Sequence, residues 1–287
     1  MLRQEVSGWG RFPKTWSPVL QPLDVSEVQA FLRNRQEKVT PIGLRRSYAD
    51  AALPRESVGI DLTRLRKIIH FDDLAGLISV EAGLSIGDLL RFIVPKGFFI
   101  PVTPGTRFVT LGGAVAHDVH GKNHHAAGSI SRFVSALTLI RSDGEQLRLT
   151  PDMPLFAATV AGLGLTGIIT VVELKLLPIE TSYIVQKRIK APNLYALMTA
   201  FEADVASWPF SVAWVDCLAK GAALGRGHLI LGRPALIEEL PATLKADPLR
   251  VHKDAPWKIP LDAPSFLLHP QHMRWFNKAF YEHQLRP

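Results

Sequence analysis

Four glycine-bearing loops constrain the fold of this chain more than any other feature of its sequence. They span residues 43–50, 104–107, 112–125 and 162–167. Short apolar runs typical of β-strands and segments of helical periodicity lie between them. A glycine lets the backbone approach a flat or phosphorylated ligand closely, because it carries no side chain. Four such loops on the connections of one α+β domain therefore predict a large bound cofactor.

The spacing of apolar residues predicts the elements that carry these loops. Ser85 and Asp88 resemble a capping box at the start of a helix, and Asp143-Gly144 marks a hairpin turn. The predicted helices are 25–34, 85–94, 155–160 and 194–206, and the predicted strands are 39–42, 76–81, 137–141, 146–149, 168–177 and 211–216. Pro178 marks a boundary, which gives two predicted domains, 8–180 and 181–287. The last part of the second domain shows no clean periodicity.

The composition excludes several classes of protein. Of the 287 residues, 47% are hydrophobic and 21% are charged, which excludes a disordered, collagen-like or coiled-coil chain. A single cysteine, Cys217, excludes an internal disulfide and a multi-cysteine metal site, and it indicates a reducing, cytoplasmic location. The net charge of +7 is spread without a basic run. We therefore expect no nucleic-acid partner and a modest attraction for anionic ligands.

One uncharged stretch, residues 153–172, has the length of a membrane span. Gly162, Gly164 and Gly167 interrupt it, so two buried elements joined by a turn are predicted instead of a transmembrane segment. Residues 162–167 also match the G-x-G-x-x-G pattern of dinucleotide-binding folds. That pattern requires a strand before it and a helix after it, whereas here the order is reversed. The sequence favours a glycine turn that lets a strand pass close to a neighbour.

The densest polar cluster is 112–125, which contains four of the ten histidines. A metal ion could use His117, His120 and His124 together with Asp118. However, the ammonium group of Lys122 would repel a metal ion, and the glycines suit close approach to a ligand. We therefore favour cofactor lining over a metal site or a purely structural polar loop. Residues 104–107 add amides, a hydroxyl and a guanidinium, which are donors that a pyrophosphate needs; the alternative there is an ordinary Pro-Gly turn.

Three segments together resemble a known family. GLRRSYAD (43–50), PGTRFVTLGGAVAHDVHGKNHHAAGS (104–129) and GLGLTGII (162–169) occur in the order and spacing of the vanillyl-alcohol-oxidase family, whose FAD-binding domain is of the PCMH type. The likeness begins at residues 8–11 and persists through 224–226. It implies an α+β fold, with an FAD-binding domain of two subdomains followed by a partial α+β substrate domain.

The resemblance also implies which residues contact FAD. These come from the first loop, from the segments around the paired glycines and from the strand after the last loop. They are Pro41, Ile42, Gly43, Leu44, Arg45, Arg46, Ser47, Tyr48, Ala49, Asp50, Gly105, Thr106, Thr110, Leu111, Gly112, Gly113, His117, Asp118, Val119, His120 and Ile169. Relatives that attach FAD covalently do so through a histidine in the first loop. Arg46 occupies that place here, so non-covalent FAD is expected.

The family chemistry is transfer of hydride from a sugar carbinol carbon to the flavin. The resemblance is greatest to flavoprotein subunits that perform the oxidising half of a 2′-epimerisation, for which a separate NAD(P)H-dependent reductase completes the reaction. It implies catalytic roles for Tyr48, His120 and Lys122, and substrate contacts for Lys122 and Trp214. The expected substrate is a sugar, including a polyprenyl-phosphate pentose, which would allow peripheral membrane contact. The alternatives are an alditol or aldonolactone oxidase that uses oxygen, and a catalytically incomplete FAD-binding module.

Three departures from the family pattern lie in the predicted site. Arg45 and Ala49 replace glycines in the first loop, so the backbone approach to FAD there is expected to be altered. His117 stands where a small residue or cysteine is common. The chain is also shorter than the family pattern, and the aromatic residues of 266–281 need a partner surface. Either this tail docks on its own domain or the chain stops inside its substrate domain; in the second case we expect weak FAD binding and no turnover.

Overall fold

The computed structural model describes residues 1–251 and 264–283. It divides into two compact units, Met1–Ile179 and Glu180–Pro287. The fold class is α+β, as expected. None of the helices within the described residues is both long and apolar enough to cross a membrane. The uncharged stretch 153–172 instead forms a short helix, a glycine turn and a strand.

The first unit contains one four-stranded sheet, one five-stranded sheet and one short two-stranded sheet. The elements in chain order are β1 (Leu2–Ser7), β2 (Lys14–Leu20), α1 (Val25–Asn34), β3 (Val39–Ile42), β4 (Val58–Asp61), β5 (Ile68–Asp72), β6 (Leu77–Glu81), α2 (Ile86–Ile93), β7 (Phe98–Phe99), α3 (Leu111–Ala116), α4 (His124–Ala127), β8 (Val134–Ile140), β9 (Gln146–Leu149), α5 (Pro154–Thr159), β10 (Ile168–Lys175) and β11 (Leu177–Pro178). One sheet has the order β1-β2-β4-β3, with β4 parallel to both of its neighbours. The five-stranded sheet is antiparallel, with the order β5-β6-β10-β8-β9.

Helix α1 joins the two larger sheets through a shared core. Its buried face, Val28 and Leu32, packs in one cluster with Ile60 at the end of β4 and with Ile140 and Ile168 of the antiparallel sheet. The side chain of Asp24 caps the helix by accepting a hydrogen bond from the backbone N–H of Glu27 (3.0 Å). The contact brings the ends of β3 and β4, and the loop after each, close to the start of β10.

Local sequence signals account for the helix starts and the hairpin. The hydroxyl of Ser85 accepts a hydrogen bond from the backbone N–H of Asp88 (3.0 Å) and caps α2 as predicted. Strands β8 and β9 pair across the Asp143-Gly144 turn, where Gly144 has a φ of +82°. The predicted helices and strands therefore correspond to observed elements, with small shifts at their ends.

The second unit is a three-stranded antiparallel sheet with helices. Its elements are β12 (Ile184–Ala191), α6 (Leu194–Asp204), β13 (Phe210–Val215), β14 (Gly227–Pro234), α7 (Ala242–Lys245) and α8 (Pro270–His283). The strand order is β12-β14-β13. Helix α6 buries Leu197 against Leu229 and Leu231 of the central strand.

Helix α8 corrects the expectation that the C-terminal part lacks a periodic element. The hydroxyl of Tyr281 donates to the carbonyl of Ala191 (3.2 Å), and the amide of Asn277 donates to Asp216 (2.8 Å). The ring of Phe280 lies 4.6 Å from that of Trp214. The inward face of α8 thus docks on its own unit, whereas Phe266, Trp275 and Phe276 are exposed. Residues 284–287, which the sequence included in the tail, lie outside the described part.

Candidate functional site

The first glycine loop begins where β3 ends. Gly43 lies directly against Thr110, because a Cβ atom at this position would lie 2.3 Å from the Thr110 hydroxyl. Farther along, Arg45 and Ala49 have φ values of +57° and +49°. This left-handed region favours glycine. Arg45 and Ala49 therefore hold the left-handed backbone conformation that glycine adopts most readily; the altered approach of this loop to FAD stays a prediction.

This conformation gives a test of the loop's strain. Ala49→Gly is expected to raise the free energy of unfolding by about 1 kcal/mol, because it removes the Cβ from a left-handed position. Ala51→Gly is the matched control; Ala51 is not among the residues with positive φ, so the change should lower stability by about 0.5 kcal/mol. Chemical denaturation of both variants measures the difference. If Ala49→Gly and Ala51→Gly lower the free energy of unfolding equally, the backbone at Ala49 is not strained.

Helix α3 begins at the paired glycines. The hydroxyl of Thr110 accepts a hydrogen bond from the backbone N–H of Gly113 (3.3 Å) and caps the helix. The backbone N–H of Gly112 donates to the carbonyl of Ala82 (2.8 Å). A Cβ atom on Gly112 would lie 2.7 Å from that of Ala82. The start of α3 is therefore in direct contact with the end of β6.

His117 connects the end of α3 to the first loop. Its Nδ1 lies 3.0 Å from the carbonyl of Gly113, and its Nε2 lies 3.0 Å from the hydroxyl of Ser47. A carbonyl can only accept, so Nδ1 carries the proton and the Ser47 hydroxyl donates to Nε2. His117 therefore fixes the spacing between two of the glycine-bearing segments.

The fourth loop closes the same region. The backbone N–H of Leu163 donates to the carbonyl of Ala116 (3.0 Å). A Cβ on Gly164 would lie 2.5 Å from the ring of Pro41, and Gly167, with a φ of +152°, passes as closely to the carbonyl of Ile140. Strand β10 follows at once, without a helix. The turn interpretation is confirmed, and the G-x-G-x-x-G match is not a dinucleotide-binding motif.

Two neighbouring cavities lie beside the first loop. The first has a volume of about 280 Å³ and the second about 840 Å³. Both are lined by Gly43, Leu44, Arg45 and Arg46, so the cavities share the first loop as a wall. The predicted residues that line the first are Pro41, Ile42, Gly43, Leu44, Arg45, Arg46, Ser47, Tyr48, Thr110, Gly112, Gly113, His117, Val119 and Ile169.

Residues 17–150 match a family model described as an FAD binding domain. This part of the chain is similar to FAD-binding domains. The FAD cofactor and the resemblance to the PCMH-type family, both expected from the sequence, are confirmed.

Curated relatives extend the similarity beyond this domain. Decaprenylphosphoryl-β-D-ribose oxidase of Mycolicibacterium smegmatis is 37% identical over 292 aligned residues, which cover 96% of this chain and 63% of the relative. L-Gulonolactone oxidase of Mus musculus is 29% identical over 168 residues, covering 56% of this chain and 37% of the relative. The chain thus spans less than two thirds of the length of either relative.

A solved structure shows the same fold. Alkyldihydroxyacetonephosphate synthase superposes with a TM-score of 0.66 over 76% of this chain and 47% of that chain, at 16% sequence identity. At this identity the likeness concerns the fold alone. It agrees with the PCMH-type fold expected for the FAD-binding domain.

The residues of the FAD-binding domain fit FAD. The cofactor carries two flat ring systems joined through a pyrophosphate, and it therefore needs an elongated cleft with apolar walls and exposed donors. The two neighbouring cavities along the first loop supply the length, and Leu62, Val109 and Ile169 supply apolar walls. Gly43 and Gly112 lie so close to their neighbours that a Cβ would clash. These glycines keep the backbone, instead of side chains, at the surface of the cleft.

Some predicted FAD contacts lie outside both cavities. Leu111 is buried in the core. The carboxylate of Asp118 accepts hydrogen bonds from the Ser129 hydroxyl (2.7 Å) and the Ser131 backbone N–H (3.1 Å), so it holds its own loop. The remaining residues of this group are exposed or partly exposed: Ala49, Asp50, Gly105, Thr106 and His120.

The H-G-K-N-H-H segment (120–125) has an inner and an outer set of residues. Asn123 is buried and donates to the carbonyl of Pro101 (2.6 Å). A Cβ at Gly121 would lie 2.2 Å from the carbonyl of Thr103. His120 and Lys122 are consequently exposed, and the His120 ring lies 5.0 Å from that of His124. The described residues contain no group of three His, Cys, Asp or Glu side chains that could hold a metal ion.

Trp214 belongs to the second unit, on β13. Its ring lies 6.0 Å from the ring of the buried His228. Burial lowers the pKa of His228. Burial would raise the pKa of the neighbouring Asp216, but hydrogen bonds from Asn277 and Arg226 outweigh it and lower that pKa.

The predicted contact set omitted residues at both cavities. Most of those at the first are small or apolar: Ala51, Ala52, Leu62, Ala82, Val109, Ala114, Ala116, Leu163, Gly164 and Gly167. Those at the second are Ser7, Gly8, Trp9, Gly10, Arg11, Asp61 and Thr63. The fourth glycine loop was an available signal for the first group. Residues 61–63 carried no signal, because no motif marks the end of β4.

Proposed function

We propose that the protein is an FAD-dependent oxidoreductase that oxidises a secondary hydroxyl of a polyprenyl-phosphate pentose. The reaction would be the oxidising half of a 2′-epimerisation, completed by an NAD(P)H-dependent reductase. The proposal rests on the similarity to a decaprenylphosphoryl-β-D-ribose oxidase, which is 37% identical over 96% of this chain. A cytoplasmic location remains a prediction from the single cysteine.

The chain's own residues would bind and orient the sugar. Bound FAD supplies the hydride acceptor. Tyr48 lines the first cavity and is exposed, so its hydroxyl is available to a substrate hydroxyl. Lys122 and His120 are exposed on one short segment. Gly121 and Asn123 attach this segment to the protein, because Gly121 packs against Thr103 and Asn123 donates to the carbonyl of Pro101. We assign Lys122 to binding the substrate and His120 to orienting the reacting hydroxyl. We also assign Trp214 to substrate binding.

A second candidate function is an aldonolactone or alditol oxidase that passes electrons to oxygen. The similarity to L-gulonolactone oxidase over 56% of the chain favours it. Steady-state assays with a farnesyl-phosphate pentose, aldonolactones and alditols, each with oxygen or an artificial acceptor, separate the two. The proposal requires the phosphorylated pentose to have the highest kcat/KM. A higher value for a lactone with oxygen would favour the second function, and bound FAD without turnover of any substrate would indicate a binding module.

We expect FAD to be released intact when the protein is denatured. Arg46 lines the cleft at the position of the attachment histidine of covalent relatives, and a guanidinium does not form that bond. Acid precipitation followed by filtration should leave all the yellow colour in the filtrate. Colour that stays with the precipitated protein would contradict non-covalent binding.

A further inference from the structure

We propose that the β1–β2 hairpin docks on a bilayer that contains anionic phospholipids, through Arg3, Phe12, Lys14 and Trp16. These four residues are called the hairpin surface. None of them lines either cavity beside the first loop, and none is a predicted contact of FAD or of the sugar. The purpose of the contact rests on the proposed function, because a polyprenyl-phosphate sugar is held in a bilayer by its hydrocarbon chain.

One side of the hairpin presents basic and aromatic side chains to the outside. The strand register places Trp16 opposite Glu5; Arg3 lies two residues before Glu5 on β1, and Lys14 lies two residues before Trp16 on β2. Alternate residues of a strand share a face, so these four side chains lie on one side of the hairpin. Val6, on the other side, is buried in the core. Trp16 is 65% exposed, and its ring therefore lies at the surface with a basic residue on each side.

The turn between the two strands adds a second exposed ring. Phe12 lies two residues before Lys14 and is 80% exposed. Aromatic side chains bury a large apolar area when they leave water, so keeping two of them exposed costs free energy. Exposed apolar side chains that lie together with polar residues around them mark a surface that contacts a protein or a membrane. Phe12 and Trp16 therefore give this end of the hairpin the character of a contact surface.

The charges beside the two rings favour an anionic bilayer over a second copy of the chain. Glu5 is the one acidic residue within residues 1–20, and its carboxylate accepts a hydrogen bond from the ammonium group of Lys14 (2.9 Å). Arg3 is exposed on the same side, so the positive charge is in excess. In a symmetric dimer this surface would meet itself, and the excess charges would repel each other. Anionic headgroups instead attract Arg3 and Lys14, while Trp16 and Phe12 enter the boundary between headgroups and acyl chains.

The test measures how the FAD-loaded protein sediments with vesicles and needs no turnover. The vesicles are phosphatidylcholine alone and an equal mixture of phosphatidylcholine and phosphatidylglycerol. The wild type should bind the mixture more tightly, and added salt should weaken this binding. Trp16→Gln and Phe12→Gln should each weaken it about tenfold, because each removes a ring that leaves water. Arg3→Gln should weaken binding to the mixture about fivefold and leave binding to phosphatidylcholine unchanged. Leu74→Gln is the control, since Leu74 is 97% exposed in the turn between β5 and β6; it should bind like the wild type.

The outcomes separate this inference from the proposed function. Failure of the wild type to bind the mixed vesicles would overturn it, and so would undiminished binding by both Trp16→Gln and Phe12→Gln. Loss of bound FAD from these variants, seen in the flavin absorbance, would show that the hairpin supports the cofactor site and would also overturn it. A dimer in sedimentation velocity that Trp16→Gln abolishes would assign the surface to a second copy of the chain. Vesicle binding that requires Trp16, in a protein that oxidises only aldonolactones or alditols, would support the hairpin surface and refute the proposed function.

Discussion

Replacing Gly112 by alanine is expected to impair FAD binding and stability together. In an ordinary helix this change stabilises by up to about 1 kcal/mol. Here the new Cβ would lie 2.7 Å from the Cβ and 3.1 Å from the carbonyl oxygen of the buried Ala82. Neither atom can move without shifting β6, so α3 must move. We expect a loss of about 1–3 kcal/mol in the free energy of unfolding and at least about tenfold weaker FAD binding.

Gly105→Ala is the matched control for this prediction. Gly105 lies in another of the predicted cofactor loops, but a Cβ there would have no atom within 4 Å. Its stability and FAD affinity should remain close to those of the wild type. Urea denaturation and flavin fluorescence titration measure both quantities. Tight FAD binding by Gly112→Ala would show that the close contact between α3 and β6 does not shape the site.

Replacing His120 by alanine is expected to slow flavin reduction far more than it affects folding. The ring is exposed, and the local backbone is held by a β-bridge to Ser129 that the change leaves in place. The free energy of unfolding should therefore change by less than about 0.5 kcal/mol. Loss of one hydrogen bond that orients the substrate hydroxyl should slow reduction by about 10- to 100-fold.

His125→Ala is the control, because His125 is also exposed and lies on the neighbouring short helix α4. The flavin bound to His125→Ala should be reduced at the wild-type rate. Stopped-flow absorbance with the phosphorylated pentose gives the rates for both variants at full FAD occupancy. If the flavin bound to His120→Ala is reduced as fast as that of the wild type, then His120 has only a structural role in its loop.

The sequence was sufficient wherever a local signal fixed the structure. The capping box at Ser85, the Asp143-Gly144 turn and the order of elements around residues 162–167 each predicted a local structure from a few adjacent residues. The paired glycines were informative for the same reason, because their close contacts leave no room for another side chain at Gly112.

The sequence was insufficient where the site depends on tertiary pairing. The second cavity combines the turn after β1 with the end of β4, which become neighbours only through the β1-β2-β4 order of the sheet. No spacing in the sequence carries that information. The left-handed backbone at Arg45 and Ala49 does not follow from either residue type; the glycines of the family pattern at these positions were the only signal for it. The sequence of α8 marked the aromatic residues that need a partner surface, but it did not lead to the prediction of a helix.

The most direct test of the account is the absorbance of the FAD-loaded protein on mixing with a farnesyl-phosphate pentose in the absence of oxygen. We expect the visible flavin absorbance to bleach and a ketose product to form in proportion to the flavin reduced. A protein that binds no FAD after reconstitution, or whose bound flavin stays oxidised with this substrate while an aldonolactone bleaches it, would contradict the account.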